Sequence, residues 1–381
     1  MNANERFDAP SGSTIDTVDA RAALKTDCPE VPSRPREAFY RAAQLSSPAR
    51  SLLPEPTPED PRFLRSSMPI TSVDIAVLTV ICRYYVLTRE QIQKLCFPGH
   101  NSGRSTRKRL SKLCHAGYVV KHRIPVVPTG QMNAAPVYYP TAKAAELIAS
   151  HFDDERWLAT NTRTPRSDLL SHWVAIADTH VTVEQAIAIQ ADVKLCGWFN
   201  EWETVNKTAG DKDRFYLHTQ LNQAPPLSCS PDAAFMLELR GHRKVFYIEQ
   251  DRNTSGVRQI ASAKTPGYAE LAARHGHRKH FPETTLPAFS VLFITTHPHR
   301  RDAAAKAISK MKGADLWLFI SQTDLKPEAF LFEPITYNCK GEAGPLVNPP
   351  VDGIVPPTSD QSGHLPVMNA CPAHPQLPAS D

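Results

Sequence analysis

Apolar and polar positions along this chain fall into two patterned blocks, flanked by two stretches that have no period. In the first block Ile75, Leu78, Ile81 and Cys82 share one face of a helix that Thr71 or Ser72 caps and that runs to about residue 85. Thr88-Arg-Glu-Gln91 is a capping box that opens a second, shorter helix, and Phe97-Pro98-Gly99 ends it. A third helix is predicted over 103–116, with Leu110 and Leu113 inward and Gly117 as the residue that stops it. Two strands follow, 118–124 and 137–139, joined by a loop holding Pro128, Gly130 and Asn133, and a capped helix over 140–148 closes the block.

The second block opens with a helix over 168–190, where Leu169, Trp173, Ile176, Val183 and Ile187 form a core-facing stripe. Residues 198–205 lead into a strand, and 206–229 read as a polar, proline-containing loop. Two apolar runs around the polar turn Arg240-Gly241-His242 then predict a β-hairpin. A helix over 257–274 carries Lys264 and Tyr268 four residues apart, on one face. The unbroken apolar run 289–296 has the pattern of a buried central strand, followed by a helix over 300–311, a second buried strand over 316–320 and an edge strand at 329–332. The flanks, 1–66 and 339–381, are rich in proline with sparse apolar residues; disorder is expected there, apart from a short helix around 36–45. The expected division is therefore a tail (1–66), a first folded domain (67–152), a polar linker (153–167), an α/β domain (168–338) and a second tail (339–381).

Three helices followed by a β-hairpin are the elements of a winged helix-turn-helix. Net charge is only +4 over 381 residues, but residues 83–123 hold ten Lys/Arg against one acid, Glu90. Arg104, Arg107, Lys108 and Lys112 point outward from the third helix, Arg107 or Arg109 can read a guanine edge, and Lys121 lies on the next strand. Double-stranded DNA is the expected partner; the alternatives are a solvated face or a protein-docking module. Eight widely spaced cysteines without a CxxC pair argue against a zinc ribbon or a disulfide scaffold. With no apolar run of membrane-spanning length and no signal peptide, a soluble cytoplasmic protein with no membrane partner is expected. No phosphate loop of the Walker type is present, which excludes that class of NTPase.

The candidate chemistry lies in the hairpin. Asp232 opens its first strand and Glu249 closes its second, so antiparallel pairing brings both carboxylates to one edge. Two adjacent carboxylates repel unless a proton or a cation such as Mg²⁺ sits between them. The alternative is that Asp232, Glu249 and Asp251 are ordinary strand-end residues, with Asp251 or Thr254 capping the next helix. One of Glu201 or Glu203 can point into the same edge, and His172 is either a core or surface histidine or part of the site. His275, His277 and His280 stand among Arg274, Arg278 and Lys279 and are expected in an exposed, phosphate-facing loop. In His297-Pro298-His299 the proline breaks the alternation that a strand-borne metal pair needs.

The order helix, three strands, helix, strand, together with Asp232 and Glu249, resembles the PD-(D/E)xK nuclease superfamily. Its usual third position is a lysine at 251, where this chain has Asp251; Lys264 on the following helix resembles the relocated lysine of some members. The resemblance implies Mg²⁺ held by Asp232 and Glu249, with Glu201 and Asp251 assisting and Lys264 stabilising charge. Over residues 70–320 the chain also resembles the replication-relaxation family of plasmid and mobile-element proteins, through Ser171-His172-Trp173-Val174-Ala175, Trp198 with Glu201, Pro231-Asp232-Ala233, Ile248-Glu249-Gln-Asp251-Arg252-Asn253-Thr254, and Lys264 with Tyr268. Members commonly have Gly where this chain has Asn253, a residue that also tolerates positive φ. This resemblance implies a role in plasmid replication or DNA relaxation; with the nuclease-like domain, Mg²⁺-dependent DNA nicking or cleavage is expected, with replication or mobilisation proteins as partners. The alternative is a non-catalytic regulator with a vestigial nuclease fold.

Overall fold

The computed structural model describes residues 69–97, 102–123, 136–205 and 214–348. The expected tails over 1–66 and beyond 348, the helix at 36–45 and the loop with Pro128, Gly130 and Asn133 lie outside them. All described residues belong to one compact unit, Arg65–Asp381.

The chain enters α1 (Ser72–Tyr84), whose capping box uses the Thr71 hydroxyl and the Asp74 carboxylate. Next come β1 (Leu87–Thr88), α2 (Arg89–Cys96, with its own box at Thr88 and Gln91) and α3 (Arg104–His115). Gly117, at φ +76°, turns the chain out of α3 into β2 (Val119–Arg123), which pairs antiparallel with β3 (Pro136–Pro140). β1 adds on the far side of β3, giving the sheet order β1-β3-β2. Helix α4 (Ala142–Phe152) then packs against α1. The 153–167 segment is packed rather than freely running: Trp157 is fully buried, and the Arg163 carbonyl accepts from the Tyr85 hydroxyl.

Beyond it lie α5 (Leu170–Ala188), β4 (Val193–Asn200), β7 (Ala233–Leu239), β8 (His242–Gln250), α6 (Val257–Ala273), the short α7 (His277–His280), β9 (Ser290–Thr295), α8 (Pro298–Ile308) and β10 (Trp317–Ser321). The order α5, β4, β7, β8, α6, β9 is the helix–three strands–helix–strand order expected of a restriction-endonuclease-like α/β core. With β11 (Thr336–Tyr337) and β12 (Ala343–Gly344), seven strands form one mixed sheet, β12-β11-β10-β9-β8-β7-β4, with β8, β9 and β10 mutually parallel and the other neighbours antiparallel. Arg240 and Gly241 both adopt positive φ at the β7–β8 turn, the backbone that a two-residue hairpin prefers.

Three local expectations are corrected. Residues 206–229 are not simply a polar loop, because they contain the hairpin β5 (Thr219–Gln223) and β6 (Pro226–Cys229), with Leu221 and Cys229 buried. Residues 329–332 form a turn that drives Phe330 and Leu331 into the core, so the sheet edge is supplied instead by β11 (Thr336–Tyr337) and β12 (Ala343–Gly344). The tail expected over 339–381 is therefore folded in its described part, 339–348, where Leu346 is buried.

Strand alternation sends Trp198, Phe235, Phe246, Ile248, Leu292 and Ile294 to one face, against α5 and against Tyr85, Val86, Val137 and Tyr139. The helical block and the large sheet thus share a core on this face. Met236, Tyr247, Val291, Phe293 and Phe319 face the other way, under α6 and α8. Each fully buried large side chain contributes about 1.5–3 kcal/mol. At Gly267 a Cβ would meet the Ser228 carbonyl oxygen at 2.7 Å. The bare backbone there lets α6 lie against β6, and this sets the depth of Lys264 and Tyr268.

Candidate active site and the basic third helix

The acidic cluster forms because three strand ends stop at the same sheet edge. Asn200 pairs with Ala233, and Ala233 with Ile248, so the next residue on each path is Glu201, Asp232 or Glu249. The Glu201 amide donates to the Asp232 carbonyl at 3.0 Å, and the Asp232 amide donates to the Ile248 carbonyl at 3.1 Å. Asp232 also accepts the Gln250 amide on Oδ2 at 2.7 Å, which orients its carboxylate.

Two groups of side chains meet at Asp232. On one side, Lys264 Nζ lies 2.8 Å from Glu249 Oε2 and 3.8 Å from Asp232 Oδ1, and it donates to the Ser230 carbonyl at 2.9 Å. The Tyr268 hydroxyl donates to Glu249 Oε1 at 2.6 Å. Burial pushes the Glu249 carboxyl up to about 7, against the pull of Lys264. Lys264 stays protonated, because the Glu249 and Asp232 charges outweigh its own burial and raise it. On the other side, His172 Nε2 stands 3.7 Å from Asp232 Oδ2 and 4.0 Å from Glu201 Oε1. The Trp173 indole N–H donates to Glu201 at 2.5 Å. Burial, and then the Asp232 charge, raise the Glu201 carboxyl. The acceptor atoms of His172, Glu201 and Asp232 all lie within 4.8 Å of one another, a group able to hold a metal ion.

Of the residues singled out in the sequence, the structure brings Asp232, Glu249, Lys264 and Glu201 together. Asp251 is turned away: it accepts from Thr295 Oγ1 at 2.9 Å and is clamped by Arg300 of α8, through Nε and, at 2.8 Å, a terminal nitrogen. Asp251 therefore forms a structural ion pair that ties the β8 end to α8. Asn253 takes φ +60° in the turn that follows. Glu203 is not in the cluster, since its Oε1 accepts the Asn200 amide at 2.9 Å. His172 is the residue that sequence reasoning left undecided; its place in the Ser171–Ala175 stretch was the available signal.

The histidine-rich stretch is corrected as well. His277 and His280 are buried, not exposed, and His280 bridges the Tyr247 hydroxyl at 2.6 Å and Thr219 Oγ1 at 2.9 Å. His297 caps α8 through its side chain.

On α3, Arg104, Arg107, Lys108 and Lys112 are exposed, as is Lys121 on β2. Arg109 is different: its guanidinium lies 2.9 Å and 3.0 Å from the two oxygens of Asp74, a fully buried carboxylate, and reaches Thr71 Oγ1 at 3.3 Å. It staples α3 to the α1 cap and does not extend outward. Arg109→Ala should therefore cost about 3 kcal/mol of unfolding free energy, because a buried carboxylate loses its partner. Arg107→Ala should leave stability within about 0.5 kcal/mol of wild type. Parallel urea titrations separate the two, and equal stabilities would refute the staple.

A mixed α+β protein with a carboxylate–imidazole–lysine cluster at the end of its large sheet is thus the class that fold and site define. The chain belongs to the Replication-relaxation family, which it matches over residues 78–284, more than half of its length. No curated protein matches it. Among solved structures, restriction endonuclease FokI is similar at 10% identity, covering 66% of this chain and 42% of that one, with a TM-score of 0.26. FokI bound to DNA is similar at 12% identity, covering 67% and 43%, with a TM-score of 0.22. The chain spans about two fifths of the length of these structures. No helix among the described residues is long and apolar enough to cross a membrane.

Proposed function

We propose that this chain is a cytoplasmic DNA-binding protein of plasmid or mobile-element replication that nicks or cleaves DNA with the help of a divalent metal ion such as Mg²⁺. The observation that carries the reading is the meeting of Glu201, Asp232, Glu249 and Lys264 at one sheet edge. Three carboxylates face one lysine and one histidine, so a divalent cation complements the charge that remains. The donor set fits such an ion. When bound, it would polarise a phosphate oxygen and lower the pKa of a bound water.

The chain's own residues have separate tasks. Asp232, oriented by the Gln250 amide, presents its carboxylate to the reacting phosphate's counter-ion. Lys264, held between Glu249 and the Ser230 carbonyl, supplies positive charge for the phosphoryl oxygens as water adds to phosphorus and the P–O bond breaks. Tyr268 and Glu249 fix where that charge sits. The α1–α3 block, read as a winged helix, would place α3 in the major groove with Arg104, Arg107, Lys108 and Lys112 toward phosphates and Lys121 beside them.

A second reading, a non-catalytic DNA-binding regulator, is favoured by the closed state of two acids: Glu249 is already satisfied by Lys264 and Tyr268, and Asp251 by Arg300. Supercoiled plasmid incubated with the full chain, with Mg²⁺ or Mn²⁺ and with chelator, tests both readings. Metal-dependent nicking or linearisation is expected. Gel shift by the wild type, weakened by Arg107→Ala with a salt slope smaller by about 1, is the expected DNA-binding result. Binding without cleavage under either metal would leave the regulator.

A further inference from the structure

The carboxylate nearest Asp232 along the hairpin, Glu249, is the least available of the cluster. Both its oxygens are engaged, by Lys264 at 2.8 Å and 3.0 Å and by Tyr268 at 2.6 Å, and its side chain is almost fully buried. A cation approaching it would have to displace an ammonium group. The opposite side of Asp232 offers three acceptors from three different elements: His172 of α5, Glu201 beyond β4, and Asp232 itself. The 3.7 Å and 4.0 Å separations are longer than hydrogen bonds, so the imidazole faces the two carboxylates without being closed onto them. Trp173, one residue along α5, holds the Glu201 oxygen in place from behind.

We propose that the metal ion of this protein is bound by His172, Glu201 and Asp232, with Glu249 kept out of the coordination sphere by Lys264 and Tyr268, and that the site selects a first-row transition ion such as Mn²⁺ over Mg²⁺. The selectivity follows from the donor set. Mg²⁺ demands oxygen ligands and keeps its waters, whereas first-row transition ions accept an imidazole nitrogen beside carboxylates more readily, Mn²⁺ least among them, with affinity for N/O sites rising from Mn²⁺ onward. Replacing one oxygen by His172 therefore costs Mg²⁺ more than it costs Mn²⁺. The proposal shares the metal site with the nuclease reading above but concerns binding alone.

The test is Mn²⁺ titration of the full chain, freed of any affinity tag, followed by the loss of the free-ion electron paramagnetic resonance signal. One tightly bound Mn²⁺ per chain is expected, retained in the presence of excess Mg²⁺. Pulsed measurement of the bound ion should show coupling to an imidazole nitrogen, which ¹⁵N-labelling of histidine shifts. His172→Ala should lose the coupling and the preference over Mg²⁺, and Glu249→Gln should keep both. The labelled wild type needs no variant to fold, so absent nitrogen coupling on a bound ion overturns the proposal. So does failure to bind Mn²⁺, equal displacement by Mg²⁺, or loss of binding in Glu249→Gln with His172→Ala intact. Binding with coupling but no plasmid cleavage would sink the nuclease reading and leave this one. Cleavage supported equally by Mg²⁺, with no nitrogen coupling, would do the reverse.

Discussion

Asp232→Asn is expected to lower metal-dependent plasmid cleavage by about 100- to 1000-fold while leaving DNA binding unchanged. Among the described residues Asp232 lies beside both halves of the cluster, 3.8 Å from Lys264 and 3.7 Å from His172. The substitution is chosen to remove charge and little else. An amide oxygen can still accept the Gln250 N–H, so the strand ends keep their register. What disappears is the negative charge that faces Lys264 at 3.8 Å and completes the metal-binding group, while Glu249 and the Ser230 carbonyl still hold the ammonium. Glu201 gives an independent readout: its carboxyl is raised by burial first and by Asp232 second, so in the variant it should titrate lower. Cleavage retained within a few-fold of wild type, with this Glu201 shift observed, would remove Asp232 from the machinery and the nuclease reading with it. Gel shift on the same preparations confirms that α3 is untouched.

Glu184→Ala is expected to cost about 3–5 kcal/mol of unfolding free energy at neutral pH. Glu184 is a buried carboxylate on α5 that lies 3.0 Å from Arg83 Nε and 3.2 Å from His180 Nε2, and it accepts the Tyr84 hydroxyl. Arg83 and Tyr84 belong to α1, so the cluster ties the helical block to the helix that carries His172. The His180 ring in turn stacks on Trp198 at 3.9 Å. Removing the carboxylate leaves the Arg83 guanidinium buried without that counter-charge. Glu184→Gln keeps the shape and isolates the loss of charge, and should fall between the two.

The pH dependence has a fixed sign. Burial alone would raise the Glu184 carboxyl, but His180, Arg83 and the Tyr84 hydroxyl together lower it from 4.5 to about 2. A carboxyl lowered in the folded state contributes stability that is present above its unfolded pKa and is lost as pH falls through the folded one. Burial also keeps His180 below its ordinary value, which adds a loss of the same sign as acid forces a proton onto it. The gap between wild type and Glu184→Ala should therefore narrow between about pH 5 and pH 2 in urea titrations. A gap that stays constant across that range would mean that the carboxylate charge is not what Glu184 contributes.

Much of the fold was legible because its signals are local. Thr71 and Thr88 cap helices with side chains three residues away, and Leu110 and Leu113 mark the inward face of α3. Arg240-Gly241 closes a hairpin whose pairing alone sets Asp232 beside the end of β8 that carries Glu249. The apolar runs of β9 and β10 have the length and pattern of buried strands. That same pairing made the centre of the site readable, since antiparallel register is a matter of counting residues from a turn.

The rest depended on which helix covers which face, and no residue count supplies that. Glu249 and Asp251 lie two apart near one strand end, yet α6 brings Lys264 and Tyr268 to the first while α8 brings Arg300 to the second. Arg109 looks like its neighbours on a basic helix until Asp74, 35 residues earlier, is seen beneath it. His280 stands in a polar stretch but is buried because Tyr247 and Thr219, from distant strands, satisfy its two nitrogens. His172 joins the acidic edge because α5 crosses the sheet where β4 and β7 end. Hydrogen bonding along one segment can be read from its own residues. The partner of a buried charge comes from whichever distant element packs over it, and only the tertiary structure decides that.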